Sequence, residues 1–274
     1  MVNTKRIKKD IFLKLKAGYQ IINNRYSVGM KESPPKKVIF VAGNQRSGTN
    51  MVMDIFEKSL KSDVYHETDP RAFQNYIMRD ISTIQRLFSQ SKAPVFIIKS
   101  LCESQRLKTN LENFHHSQGI WVYRNYDDVV NSMMRSFNNM AKQAKRIAES
   151  PEEAGWLSEA MSDSTYQLVN SLVDDSIDDA SASALQWYYR NILFFDQKLD
   201  TNSRVRLIKY ESLVRDPQKE FKGLFEFCGL DFKNRMVIDV FKSSIKKKRP
   251  QNIRKDIRDL CDGLTRRMDE VFFG

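Results

Sequence analysis

Cysteine is scarce in this chain. Three residues, Cys102, Cys228 and Cys261, lie far apart in 274 positions, and no C-x-x-C pair occurs. Zinc ribbons and disulfide frameworks are thereby excluded, and a reducing compartment such as the cytoplasm is expected. Long apolar runs are also missing. Nothing approaches the ~20 consecutive apolar residues of a membrane span. The N-terminal stretch MVNTKRIKKDIFLKLKAGYQIINNRY begins with charge but has no uninterrupted apolar core of the kind a signal peptide needs. There is no internal repeat and no low-complexity tract. The last absence is a single lysine. VAGNQRSGTNMVM, residues 41–53, has the glycine spacing of a phosphate-gripping P-loop, but Thr49 stands where G-x-x-x-x-G-K-[ST] needs Lys and Asn50 where it needs Ser or Thr. Without that lysine and the magnesium-ligating hydroxyl, ATP or GTP hydrolysis is disfavoured.

What is present fits a globular protein: 41% hydrophobic and 29% charged residues, in a length that suits one large domain or two small ones. The net charge of +11 attracts anions, whether nucleic acid, anionic membrane or phosphorylated and sulfated small molecules. In residues 1–36, Lys5, Lys8, Lys9 and Lys14 mix with Ile7, Ile11, Phe12 and Leu15. That is a basic amphipathic helix. It either packs on its own domain or touches a membrane surface through residues 1–30.

The Pro-rich SPPKK ends this segment, and residues 37–274 read as a single domain. KVIFVA (37–42), a short β-branched run, and APVFIIKS (93–100), GIWVYR (119–124) and RVRLIKY (204–210) are read as buried strands. Helices are expected between them, over 49–60, over the whole of YDDVVNSMMRSFNNMAKQA, and over DPQKEFKGLFEFCGL with Pro217 in its first turn and Gly229 at its end. Alternating strands and helices predict an α/β fold with a parallel β-sheet flanked by helices. Residues 149–183, acidic and Ser/Ala-rich, read as a helical insertion, a lid or a solvated decoration. Ligands of such sheets lie beyond the C-terminal strand ends. The stretches starting at Gly43, Lys99 and Arg124 all fall there.

Each stretch has its own chemistry. The Gly43–Gly48 loop leaves a strand and opens a helix, so its amides converge on an anion. Arg46 adds a fork suited to phosphate or sulfate oxygens. Arg124 closes a strand, and Ser132 follows eight residues later in a helix. Between them a second anion can be held, although Arg124 alone is also explained by pairing with Asp127 or Asp128. Lys99 closes VFIIK, and taken alone it is also explained as a lysine snorkelling from a strand end.

Taken in series, these motifs resemble the PAPS-dependent sulfotransferases, which use 3′-phosphoadenosine 5′-phosphosulfate. Arg46-Ser47-Gly48-Thr49-Asn50 resembles the family's R-S-G-T-[TS] loop. Arg124 and Ser132, within RNYDD and the helix after it, resemble its 3′-phosphate motif, with Tyr126 in place of a common Pro. LIKYESLVRDPQKEFKGLFEFCGL resembles its Y-E-D-L…FLGL segment, with Ser212 in place of Asp. The resemblance covers roughly residues 37–230. It implies a P-loop NTPase-like sulfotransferase fold, PAPS as co-substrate with PAP as product, no metal, and a hydroxyl-bearing acceptor. It implies that Arg46, Ser47, Gly48, Thr49 and Asn50 hold the 5′ end, that Arg124 and Ser132 hold the 3′-phosphate, that Tyr210 lies near the adenine, and that Lys99 touches the transferred group.

Two parts of the pattern are missing. Leu101 stands where cytosolic members carry a catalytic His, so another base is needed. Glu67, in SDVYHETDPRAFQNY, is the candidate; His66 is the alternative, and His115 and His116 are remoter ones. SSIKKKRPQNIRK (243–255) lacks the family's R-K-G-x-x-G-D-W-K pattern, yet Lys247, Lys248 or Arg249 is expected at the 3′-phosphate. The acceptor is expected to be a carbohydrate or small metabolite. A divergent P-loop kinase and a nucleotide-fold binding module are the competing readings. A nucleic-acid partner is not expected, because the interleaved aromatics of a single-strand platform are missing.

Overall fold

The structure is a computed structural model and describes residues 11–22, 35–241, 245 and 251–274. Lys247, Lys248 and Arg249 lie outside the described residues. After a helical segment over 11–22 (α1) come β1 (Lys37–Gly43), α2 (Thr49–Glu57), β2 (Ser62–Tyr65), β3 (Phe73–Gln74), β4 (Ile77–Met78), α3 (Ile81–Gln90) and β5 (Val95–Lys99). Then follow α4 (Leu107–Asn113), β6 (Ser117–Tyr123), α5 (Tyr126–Ser136), α6 (Met140–Glu149), α7 (Asp163–Leu172) and α8 (Asp179–Asp196). The chain ends with β7 (Val205–Lys209), α9 (Tyr210–Arg215), α10 (Pro217–Cys228) and α11 (Lys255–Phe273).

Five strands form one sheet in the order β2-β5-β1-β6-β7, with every pairing parallel. The inner strands β1, β5 and β6 are largely apolar because both faces are covered. Val38, Phe40 and Ala42 of β1 face a core shared with α5, α8 and α11, whereas Ile39 and Val41 face a second core with α2 and α10. Alternate residues of one strand thus enter opposite layers. β1 is central: the chain leaves it for β2 on one side, returns to β5, and then crosses β1 to β6 and β7 on the other side. The crevice opens at the C-terminal end of β1, where this topology places ligands.

The structure departs from the sequence expectations in three places. Helix α2 stops at Glu57, and the chain then forms β2, a fifth sheet strand too short to stand out as a run. The single long helix expected after Arg124 is two helices: Phe137 is extended and Asn139 is left-handed at φ 61°, a conformation Asn tolerates. Tyr210 begins α9 rather than ending a strand. Residues 149–183 form a short 3₁₀ segment, α7 and the start of α8, and they do not line the main cleft; Pro151, Glu152 and Trp156 border a separate depression with Ile77 and Arg106.

Helix α1 meets the domain with its polar side. Lys16 donates to the Glu57 carbonyl at 2.8 Å, and Gln20 donates to the carbonyls of Leu60 at 3.0 Å and Ser62 at 2.8 Å. Lys16 is only 5% exposed, while Leu15 is 69% and Ile22 58% exposed. The apolar side of this helix faces outward. Among the described residues, no helix is long and apolar enough to cross a membrane.

Candidate active site

Four strand ends meet at one place. β1 runs into the loop 44–48, β5 ends on Lys99, β6 leads into Arg124, and β7 leads into Tyr210. Here a cleft of about 650 Å³ is lined by Gln45, Arg46, Gly48, Thr49, Asn50, Glu67, Tyr76, Lys99, Leu101, Cys102, Arg124, Ser132 and Phe137.

The loop is shaped by what lies behind it. Gly48 is left-handed at φ 95°, and a Cβ on it would sit 2.3 Å from the Tyr210 ring, so only glycine fits there. Tyr210 is buried beneath the loop, and the Arg124 guanidinium lies 4.4 Å over its ring. Tyr210 therefore supports the loop and does not line the cleft. Ser47 is likewise fully buried, with its hydroxyl turned into the protein. Of the five residues expected to hold the 5′ end, Arg46, Gly48, Thr49 and Asn50 face the cleft and the Ser47 side chain does not.

Arg46 is also left-handed, at φ 65°. Its Nε donates to Ser132 Oγ at 2.9 Å, and its carbonyl accepts from Arg124 Nη1 at 3.4 Å. The loop and the Arg124–Ser132 pair, read from sequence as separate cradles, are joined directly. Arg124 also pairs with Asp128 at 3.6 Å, the capping interaction allowed for above. Its backbone carbonyl accepts from Trp187 Nε1 of α8 at 2.9 Å. The Tyr126 ring lies tilted against Trp187, and its hydroxyl donates to Asp262 of α11 at 2.7 Å, which ties the start of α5 to the C-terminal helix. Glu211 accepts from the Asn125 amide at 3.0 Å, and burial pushes its carboxyl above the ordinary value.

Lys99 is 3% exposed and reaches two groups from different elements. It donates to Asn50 Oδ1 at 2.8 Å and forms a short ion pair with Glu67, which lies two residues beyond the end of β2. A lysine from the neighbouring strand thus reaches Asn50, which stands where a P-loop carries Ser or Thr. His66, next in sequence to Glu67, points the other way, toward Asp54 and Glu57 and the depression beside α1. His115 and His116 are exposed just before β6, at the opposite end of the sheet from the cleft.

The sequence reading missed Tyr76, Cys102 and Phe137. Tyr76 lacks any strand signal, because its hairpin is only two residues per strand. Phe137 reaches the cleft because the helix breaks there. Cys102 is buried beside Glu103 and Glu67, and its thiol is pushed up to about 12, which makes it a wall rather than a nucleophile.

A family profile described as Sulfotransferase domain matches residues 36–259. Among curated proteins, none matches the chain in sequence. Two solved structures are similar in fold. The sulfotransferase domain from the Synechococcus PCC 7002 olefin synthase has a TM-score of 0.54 at 13% identity, over 86% of this chain and 97% of that one. The sulfotransferase domain from the curacin biosynthetic pathway has a TM-score of 0.54 at 14% identity, over 85% and 99%. With most of its length matched by the profile and its sheet and cleft arranged as described, the chain belongs to the sulfotransferase family.

Proposed function

We propose that this protein transfers the sulfuryl group of PAPS to a hydroxyl, with Glu67 as base. The observation that carries this reading is that Arg46, Arg124 and Ser132 share one cleft with the Lys99–Glu67 pair. The donor set suits a doubly phosphorylated nucleotide. Arg46, Thr49, Asn50, Lys99, Arg124 and Ser132 all bring N–H or O–H groups to the lining. Glu67, the one carboxylate lining the cleft among the described residues, is held by Lys99. Lys247, Lys248 and Arg249 belong to the same proposal. Gln251, four residues past Lys247, donates to Asn131 at 2.8 Å, and Asn131 adjoins Ser132.

In the reaction the acceptor oxygen forms a bond to sulfur as the bond from sulfur to the phosphate oxygen breaks. The electron pair of that broken bond stays on the phosphate. Glu67 takes the acceptor proton, and Lys99 supplies positive charge where negative charge develops. Such a step needs the base and the cation side by side, and the ion pair between Glu67 and Lys99 supports this reading. Tyr76, Leu101, Cys102 and Phe137 complete the lining and favour a hydroxylated metabolite with an apolar body over a carbohydrate.

The direct test is a melting experiment. PAP raises the melting temperature without added Mg²⁺. A shift with Mg·ATP and none with PAP would overturn the reading in favour of a kinase.

Membrane contact through the N-terminal segment is a further part of this reading, supported by the outward apolar side of α1 and the basic residues around it. Vesicles rich in anionic lipid pull down the full chain, and Leu15→Glu with Ile22→Glu abolishes the effect, because both side chains are exposed. Equal sedimentation of the double variant would remove α1 as the anchor.

A further inference from the structure

Tyr76 stands at the tip of a very small hairpin. β3 and β4 pair antiparallel over two residues each, Phe73 with Met78 and Gln74 with Ile77. Asn75 and Tyr76 form the turn with φ of 51° and 66°, the left-handed pair of a two-residue hairpin. A hairpin this short does not hold itself together. Its inner strand is anchored by Phe73, which is buried in the core. Its outer strand is held by another part of the protein: the Met78 amide donates to Glu103 Oε1 at 2.7 Å. Tyr76 is 62% exposed yet borders the cleft.

Glu103 is 4% exposed, and its second carboxylate oxygen is buried without a hydrogen-bond partner. It sits in the segment after β5 that also places Leu101 and Cys102 on the cleft. One carboxylate therefore joins two walls of the cleft. We propose that Glu103 is a positioning residue, whose buried carboxylate clasps the hairpin at the Met78 amide and so sets Tyr76 against Leu101 and Cys102 as an adjustable wall of the cleft. Calling that wall the acceptor side rests on the sulfotransferase reading above; the clasp itself does not.

The clasp titrates in the neutral range. Burial raises the Glu103 carboxyl to about 7, the Glu67 charge adds to the rise, and the Met78 amide and Arg106 oppose it. The other groups facing it are the Cys102 thiol and Arg190 of α8. Arg190 is itself held by Gln105 and the Trp156 carbonyl, and Arg106 by Glu159. Above pH 7 the carboxylate accepts a charge-assisted bond, and the hairpin is held tightly. Below it the bond weakens. Global stability moves the other way. A carboxyl whose folded pKa is raised stabilises the fold below its unfolded value, and that contribution is lost as pH rises through about 7. Local tightening against global weakening separates a clasp from an ordinary structural residue.

Hydrogen exchange on the full chain tests this. After correction for the intrinsic rate, protection of residues 73–79 rises by about tenfold from pH 6 to pH 8, the size of one charge-assisted bond. In Glu103→Gln, which keeps an acceptor oxygen but cannot ionise, protection stays at the pH 6 level throughout. The Glu103→Gln melting temperature loses its decline across the same interval. PAP binding in this variant stays within about twofold of the parent, reported separately by calorimetry. If both forms fail to bind PAP while exchange behaves as described, the sulfotransferase reading fails and the clasp survives. If protection at 73–79 is pH-independent in the parent, or if Glu103→Gln retains the pH-dependent rise, the clasp is refuted.

Discussion

Glu67→Gln lowers sulfuryl transfer by at least about 100-fold, the lower end of what a positioned general base contributes, and leaves PAP affinity within a few-fold. Glu67 touches Lys99 and the cleft, not the Arg46–Ser132–Arg124 group, so under the proposed roles the substitution leaves that group intact. The amide keeps the shape and an oxygen acceptor for Lys99, so the buried ammonium retains Asn50 and a polar neighbour and the fold survives. The measurement uses labelled PAPS with whichever pooled alcohol the parent protein sulfates, alongside calorimetry with PAP. Turnover within about threefold of the parent would sink the assignment. His66 would not then inherit the role, because it faces Asp54 and Glu57 outside the cleft. The base would have to come from the acceptor itself or from solvent.

Arg124→Ala weakens PAP binding by about 100-fold or more, near 2.7 kcal/mol, and lowers the melting temperature as well. Arg124 is placed by four independent contacts. Trp187 holds its carbonyl, Asp128 pairs with its guanidinium, the Tyr210 ring lies under it, and the Arg46 carbonyl accepts from it. Truncation removes the cation and uncovers the ring on which Gly48 rests. Breaking a buried ion pair by deleting one partner costs about 3–5 kcal/mol, so part of the loss appears as stability. Arg124→Lys separates the two effects. Lysine keeps the charge toward Asp128 but cannot offer a planar fork to an anion, so it regains stability and only part of the affinity. Affinity of the alanine variant within about threefold of the parent would show that the 3′ end of the nucleotide is held elsewhere.

Much of the sheet was legible because a strand buried on both faces must be apolar along its whole length. KVIFVA, VFIIK and GIWVY meet that condition except for Lys37 and Lys99 at strand ends, and all three lie in the sheet. The loop was legible because a phosphate turn needs glycine at fixed spacing. β2 was not, because four residues of mixed polarity, SDVY, show no period. The break after Ser136 was not, because an extended Phe137 and a left-handed Asn139 leave no signal in the local residue pattern. Helix α11 was overlooked although the spacing of its buried residues, Ile257, Cys261, Leu264 and Met268, is helical.

The amino-acid order alone determined which residue types stand at the strand ends: the glycine loop without its lysine, Lys99, Arg124 and the Tyr-Glu pair at 210–211. Those choices depend on local geometry and side-chain chemistry, which a linear pattern carries. Only the tertiary structure decided which of them meet. It brought Lys99 from β5 to Asn50 and to Glu67 beyond β2, joined Arg46 to Ser132 across 86 positions, and turned Ser47 and Tyr210 behind the loop. It also set an outlying hairpin on Glu103. Contacts of this kind depend on strand order and on which face each side chain takes, and both are settled by the packing of the whole core.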